Sequence, residues 1–349
     1  MLLKRLKYNN IPELKLNYLQ KSMKDIVASK LENSIYQYEN VKCPVCEVDN
    51  KELIGEKDRY GLSYKTNLCV SCGLIYTSPR MTQLSYNEFY NTEYRKLYVG
   101  KETATDSFFY SQRIKGKKIY DYLKRNNLIL KEESFILEIG CGAGGILSVF
   151  KERGHKVKGS DLGEEYIEYG KKFHGLDIEI GFLSNIKIDK KPDIIIYSHV
   201  LEHILDLKSE LTSIKNIISE NTIVYIEVPG VKEIHRNFES NILKYFQNAH
   251  TYHFSLETLT NLFSIMGFEL ICGNQFVQSA FKLTTNKTII NNDYNNVKSY
   301  LLKTEKNRIL YSFTPLAIKL HAKKIILKTL DILKLRKIAR KIKNHFNKL

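Results

Sequence analysis

Nowhere in its 349 residues does the sequence approach the roughly 18–20 uninterrupted apolar residues of a membrane span. Its N-terminus, MLLKRLKYNNIPELKL, is broken by charge and by Pro12 before an apolar run of useful length forms. No secretory signal is read there, and a cytoplasmic chain is expected. There is no internal repeat and no Pro/Gly/Ser linker of the kind that separates independent domains. Positive charge is also missing where a nucleic-acid enzyme would need it. The chain carries +16, but residues 303–349 hold fourteen Lys/Arg against two acids, and residues 1–30 hold seven against two. Residues 31–302 are left near −1. A neutral body with basic ends argues against a nucleic-acid-binding face. Cysteine is sparse, six in all, as two close pairs and two singles. In a chain that is not exported, that pattern favours metal binding over disulfides.

From Ser134 onward the pattern becomes short apolar runs alternating with amphipathic stretches. The runs are residues 134–140, 156–162, 178–181, 193–198, 222–228 and 268–273. Near-continuous Ile/Val/Leu strands separated by helices predict a doubly wound α/β unit, a mostly parallel sheet covered on both faces. Upstream, residues 107–126 show helical apolar spacing at Phe108, Ile114, Ile119, Tyr122 and Leu123. The predicted organisation is a basic N-terminal segment (1–40), a cysteine module (41–80), a helical cap (81–133), the α/β domain (134–290) and a basic helical tail (291–349).

Cys43, Cys46, Cys69 and Cys72 form two CxxC pairs with 22 residues between them. A tight turn can aim both thiolates of a pair at one ion, and two such turns give the four tetrahedral sulfurs that structural zinc prefers. Gly73, after the second pair, suits the positive φ such turns need. Four thiolates leave no open position for catalysis, so the expected zinc belongs to folding.

The strand at 134–140 runs straight into Gly140-Cys141-Gly142-Ala143-Gly144-Gly145 and then a helix. Glycines allow a sharp turn and close ligand approach beside a helix N-terminus. Taken alone the loop is ambiguous, because Gly140, Gly142 and Gly145 also satisfy a dinucleotide GxGxxG. Asp161, ending the next strand, can accept ribose hydroxyls of either ligand. Glu138 stands two residues before the loop, and the fourth run ends as Ser198-His199-Val200-Leu201-Glu202-His203. Together, LEIGCGAGG, GSDLG, PDIIIYSHVLEHI and HFSLETLTNLFSIMGFEL resemble the class I S-adenosylmethionine-dependent methyltransferases, especially bacterial sugar and glycan methyltransferases with an N-terminal cysteine knuckle. The resemblance spans roughly residues 41–275. It implies a seven-stranded sheet, adenosylmethionine over the strand C-termini, and direct methyl transfer to a nucleophile. It further implies that Glu138 and the Gly140, Cys141, Gly142 and Gly144 loop face the methionine part and Asp161 the ribose. Leu162 then packs on adenine, Phe182 and Leu183 lie near its edge, and Ser198 and His199 sit under the sulfonium.

A hydroxyl acceptor gains from a general base. The candidates are His199, Glu202, His203, His235, His250 and His253, with His250 leading and His199 second. HExxH metal spacing is not met, since Val200 follows His199. Residues 229–254, too long for a simple turn, are the expected acceptor lid. Residues 249–259 resemble the matching stretch of nucleotide-sugar C-methyltransferases, whose YHEH falls on Gln247, Asn248, Ala249 and His250, so only the last His is kept. O-methylation of a sugar hydroxyl, on a nucleotide-sugar or glycan, is therefore expected ahead of C-methylation of a keto-sugar. An NAD-dependent enzyme and a zinc-containing scaffold or nucleic-acid module are the competing readings. In the tail, Leu330, Leu333, Ile338, Ile342, Phe346 and Leu349 recur at near-helical spacing among basic residues. A basic amphipathic helix can pack on the body, lie on the inner face of an anionic membrane, or meet a glycan-assembly protein.

Overall fold

The computed structural model describes residues 3–100, 106–128, 131–286 and 290–311, with single positions scattered between 313 and 329. The chain enters through α1 (Tyr18–Glu32), capped by a reciprocal Asn17/Gln20 box. Next come the two-residue strand β1 (Tyr38–Glu39), then β2 (Lys51–Lys57), β3 (Ser63–Cys69), β4 (Ile75–Thr77) and β5 (Arg80–Met81). Helix α2 (Gln83–Phe89) passes through a π-helical turn, Tyr90–Tyr94, into α3 (Arg95–Val99). Long helix α4 (Asp106–Arg125) follows. It buries Ile119, Tyr122 and Leu123 as expected, but its inner face turns on Phe109 and Gly116, and Ile114 points to solvent. A Cβ at Gly116 would lie 2.9 Å from the Ile146 Cα, so the missing side chain lets α4 press against the helix behind the glycine loop.

The α/β domain alternates β6 (Phe135–Ile139), α5 (Gly145–Lys151), β7 (Lys156–Asp161), α6 (Glu164–His174), β8 (Ile178–Ile180), β9 (Ile194–Ser198), α7 (Leu207–Ile217) and β10 (Ile223–Glu227). Short helices α8 (Ile234–Asn237) and α9 (Ile242–Tyr245) lead to β11 (Tyr252–His253) and α10 (Leu256–Ile265). Strands β12 (Phe268–Gly273) and β13 (Gln278–Leu283) complete the sheet. Its order is β12-β13-β10-β9-β6-β7-β8, with β13 alone running antiparallel to its neighbours. Here is the doubly wound, seven-stranded, mostly parallel sheet that the sequence led us to expect. Six of its strands coincide within a residue or so with the apolar runs. The seventh, QSAFKL, escapes pattern reading because its antiparallel, half-buried course breaks the apolar continuity. The order reverses between β6 and β9, and a ligand crevice forms outside the strand C-termini at such a switch point.

Strands β11, β4, β3 and β2 form a second, wholly antiparallel sheet that carries the cysteine pairs. Its fourth strand comes from residues 252–253, so the cysteine module and the expected lid segment share one sheet. The segment 229–254 is packed, with Ile234, Ile242, Leu243, Tyr245, Phe246 and Ala249 buried. Cys43, Cys69, Cys72, Leu74 and Tyr76 lie in the same apolar core as Leu137, Ile195 and Phe254. Of the C-terminal segment, α11 (Tyr294–Lys306) and α12 (Arg308–Tyr311) are described; α11 buries Val297 and Leu301. Arg5 grips Glu305 with two hydrogen bonds of 2.8 and 3.0 Å, joining the two basic ends. The predicted amphipathic stripe from Leu330 to Leu349 lies outside the described residues. Among those described, no helix is long and apolar enough to cross a membrane.

Candidate active site and cysteine cluster

The glycine turn between β6 and α5 depends on backbone freedom. Gly140, Gly142 and Gly144 all have positive φ, at 67°, 56° and 75°. A Cβ at Gly140 would fall 2.4 Å from Val200 Cγ2, so the loop after β9 rests directly on the turn. The Cys141 thiol points inward, fully buried, and fills the core beneath the loop. Only its backbone belongs to the turn. Gln112 of α4 donates to the Cys141 carbonyl at 2.9 Å and fixes the turn from the other side, a role no local pattern announced.

Glu138 is 1 % exposed, and its Oε2 has no hydrogen-bond partner. Burial, with Asp161 nearby, pushes its carboxyl well above the usual range. A buried acid with an open oxygen beside a glycine turn fits a cationic or hydrogen-bond-donating ligand. Asp161 accepts from Gly142 N (2.8 Å) and Gly163 N (2.7 Å). It also takes Arg95 Nη2 at 2.8 Å, while the guanidinium lies 4.2 Å over the Tyr166 ring. Sequence reasoning missed Arg95, which is distant in sequence and sits in an irregular helix. Leu162 and Phe182, expected near the adenine, are exposed at the strand ends. Leu183 is not beside them, since it is 3 % exposed and packed in the core. The Ser198 hydroxyl is buried without a partner.

Beyond β9 the backbone turns through His199, which holds φ +59°. Such a conformation is unusual outside glycine and is often kept at functional sites. His199 Nδ1 lies 3.6 Å from Glu202 Oε1 and its Nε2 3.8 Å from Glu227 Oε1. His203 Nε2 and His250 Nε2 each lie 3.9 Å from the same Glu202 oxygen. The fold thus gathers His199, Glu202, His203 and His250, all candidates from the sequence. His235 is elsewhere, bonded to Tyr300, and His253 is bonded to Tyr64. Tyr90 and Tyr94, stacked at 4.3 Å, meet the His203 ring edge-on. Burial pushes His203 below its ordinary range and His250 well below, so both rings are neutral.

In the second sheet, Cys43 Sγ lies 3.5 Å from Cys72 Sγ, and Cys46 Sγ 3.3 Å from Cys69 Sγ. All four cysteines are free, and their sulfurs lie within 4.8 Å of one another. A tetrahedron with metal–sulfur bonds of about 2.3 Å has edges of about 3.8 Å, so the donor set fits one ion. Each pair closes the same turn: Glu47 N bonds to Cys43 O and Gly73 N to Cys69 O, both at 2.9 Å. Glu47 and Gly73 both take positive φ, so the glycine expected at one turn has a non-glycine counterpart at the other.

Residues 110–272 match the methyltransferase domain family. An uncharacterized methyltransferase of Staphylococcus carnosus is 22 % identical over 142 residues, 40 % of this chain and 67 % of that protein. A putative methyltransferase of an invertebrate iridescent virus is 24 % identical over 132 residues, covering 36 % of this chain and half of the relative. The crystal structure of an S-adenosylmethionine-dependent methyltransferase from Clostridium acetobutylicum aligns at 15 % identity with a TM-score of 0.39. That alignment spans 57 % of this chain and 99 % of the other. The matched segment makes up just under half of the chain, and both of these curated relatives are named as methyltransferases.

Proposed function

We propose that the chain transfers a methyl group from S-adenosylmethionine to a sugar hydroxyl, on a nucleotide-sugar or a growing glycan. One contact carries this reading. Val200 lies against Gly140, bringing His199, Glu202, His203 and His250 next to the turn where the cofactor would lie. Glu138 and the glycine turn would hold the methionine part of the donor, and Asp161 its ribose. The donor supplies an electrophilic methyl on a sulfonium, and the rest is alignment and proton removal. The acceptor oxygen forms its bond to the methyl carbon as the carbon–sulfur pair stays with sulfur, and the hydroxyl proton passes to His250 or His199. The sugar acceptor is drawn from the likeness of residues 249–259 to sugar methyltransferases. C-methylation is less favoured because Gln247 and Ala249 replace the Tyr and Glu of that chemistry.

Structural zinc on Cys43, Cys46, Cys69 and Cys72 belongs to the same proposal. The basic tail would hold the enzyme at an anionic membrane face or a glycan-assembly partner, with Ile309, Leu310 and Phe313 exposed at its start. The deciding experiment is a labelled-methyl assay against a panel of nucleotide-sugars and glycans. Incorporation that is stable to base, and lowered at least tenfold by His250→Ala, is expected. Full activity of His250→Ala with an unchanged pH profile removes it as the base. No incorporation into any sugar removes the substrate class.

A further inference from the structure

Glu202 presents a problem that hydrogen bonding within the protein does not solve. Its side chain is 1 % exposed, and neither carboxylate oxygen has a hydrogen-bond partner. A buried carboxylate left in that state is costly, and native structures pair it or give it to a metal. Three imidazole nitrogens surround one of its oxygens at 3.6 to 3.9 Å, too far for hydrogen bonds.

The tautomers sharpen the problem. His203 Nδ1 lies 2.9 Å from the Ala249 carbonyl, which can only accept, so the ring proton sits on Nδ1. The lone pair of His203 Nε2 therefore faces the Glu202 oxygen, acceptor against acceptor. A ring whose far nitrogen donates to a carbonyl is also the usual arrangement of a metal-ligating histidine. His250 Nε2 likewise carries a lone pair. The Gln247 carbonyl oxygen accepts from Arg59, which turns the Gln247 amide nitrogen toward His250 Nε2 as a donor. Glu202, His203 and His250 are all buried, and each offers one ligand atom within 4.8 Å of the other two.

We propose that Glu202, His203 and His250 form a second metal site, for a divalent first-row transition ion, distinct from the cysteine cluster. Two imidazoles and a carboxylate suit zinc, manganese, cobalt or iron rather than magnesium or calcium. Ligands of one ion at about 2.1 Å lie roughly 3–3.5 Å apart, so the three side chains close by about 1 Å on loading. The Gln247 amide gives up its bond to His250 in the process. Arg59 is the cation that opposes the ion, and Glu202 and Glu227 are the anions that favour it. Three protein ligands leave positions open toward His199, which is 35 % exposed and lies on the cofactor side. The group that fits there is an oxygen acceptor, a sugar hydroxyl or vicinal diol, made more acidic by the ion; with His250 held as a ligand, its proton passes to His199 rather than to His250. This use of the site rests on the O-methylation proposed above; the site itself does not.

Metal content of the full chain, dialysed against buffered micromolar zinc, tests the site without any methyl assay. Wild type is expected to hold two zinc ions per chain and Glu202→Gln one. The remaining ion and an unchanged circular dichroism spectrum report that the variant is folded. One ion in wild type, or two in both proteins, overturns the site. Should Glu202→Gln fail to fold, X-ray absorption of zinc-loaded wild type decides: mixed sulfur and nitrogen/oxygen ligation is expected, and sulfur alone overturns it. A chain that loads two ions but methylates no sugar defeats only the substrate reading. One that loads a single ion and methylates sugars defeats only the second metal site.

Discussion

Two clusters of side chains that could hold a metal ion lie in this molecule, and they are built in opposite ways. The four cysteines come from two local turns, each closed by its own backbone bond, Glu47 N to Cys43 O and Gly73 N to Cys69 O. Their sulfurs face one another and the backbone of their own turns, and they sit against the main apolar core. The Glu202, His203 and His250 cluster is gathered from a loop after β9 and a segment nearly fifty residues later. It is held by groups outside itself: the Ala249 carbonyl, Gln247, Arg59 and the Tyr90–Tyr94 stack. The first cluster offers a closed set of four donors, as the proposed structural zinc requires. The second is kept incomplete by its surroundings, which is the condition for binding something else.

The contrast breaks most sharply at the cysteines. Cys69→Ser leaves three thiols in a site packed against the main apolar core, with Cys46 alone of the four partly exposed, and the expected outcome is loss of the native fold. Structural zinc in small modules is worth roughly 10–16 kcal/mol of apparent folding free energy, which exceeds the net stability of most domains. Chelation followed by thermal melting should show the same collapse in wild type. An unchanged melting temperature after complete zinc removal would make the two clusters alike, both dispensable to folding.

A smaller effect tests the seam between the clusters. His253 lies on β11, paired with β4 of the cysteine sheet, and Tyr64 donates to the His250 carbonyl while accepting from His253 Nε2. Burial pulls His253 down to about 3. Its folded value is depressed, so the unfolded chain takes up a proton below about pH 6.5 that the folded chain refuses. Stability is therefore present above that pH and lost as pH falls toward 3. Between pH 7 and about pH 5 this histidine alone contributes on the order of 2 kcal/mol of destabilisation. His250, shifted the same way by burial, adds to it. Melting curves across that range should fall by several degrees, and His253→Gln should flatten the acid limb. A flat wild-type profile would mean that these rings are solvated.

What could be read beforehand divides along the same line. Period and spacing are local quantities, so the CxxC pairs and six of the seven sheet strands were visible. The glycine turn was visible too, because glycine takes its positive φ values at the least cost. Arg95 was not, because it reaches Asp161 from a helix with a π turn, 66 residues away in sequence. Nor was the direction of Leu183, which opens a 3-10 turn and packs into the core beside an exposed Phe182. Glu202 and His203 stood among the base candidates in the sequence, but not as members of a ligand set. Only the fold reveals that the Glu202 oxygens lack partners.

The mildest perturbation concerns Arg95 and separates a completed group from a waiting one. Asp161 spends its two oxygens on two backbone N–H groups and the guanidinium, leaving about one lone-pair direction of roughly four. Two ribose hydroxyls need more than that, so a nucleoside must displace Arg95 from at least one oxygen. The arginine keeps a second partner in the Tyr166 ring and can move without losing all its contacts. A charge-assisted hydrogen bond of this kind is worth about 1.5–3 kcal/mol, but water and the ring recover much of it. Arg95→Ala should therefore tighten adenosylhomocysteine binding by several-fold in calorimetry, with the zinc content unchanged. If affinity instead falls, Arg95 shares Asp161 with the ligand rather than competing for it, and the ribose site is complete as it stands.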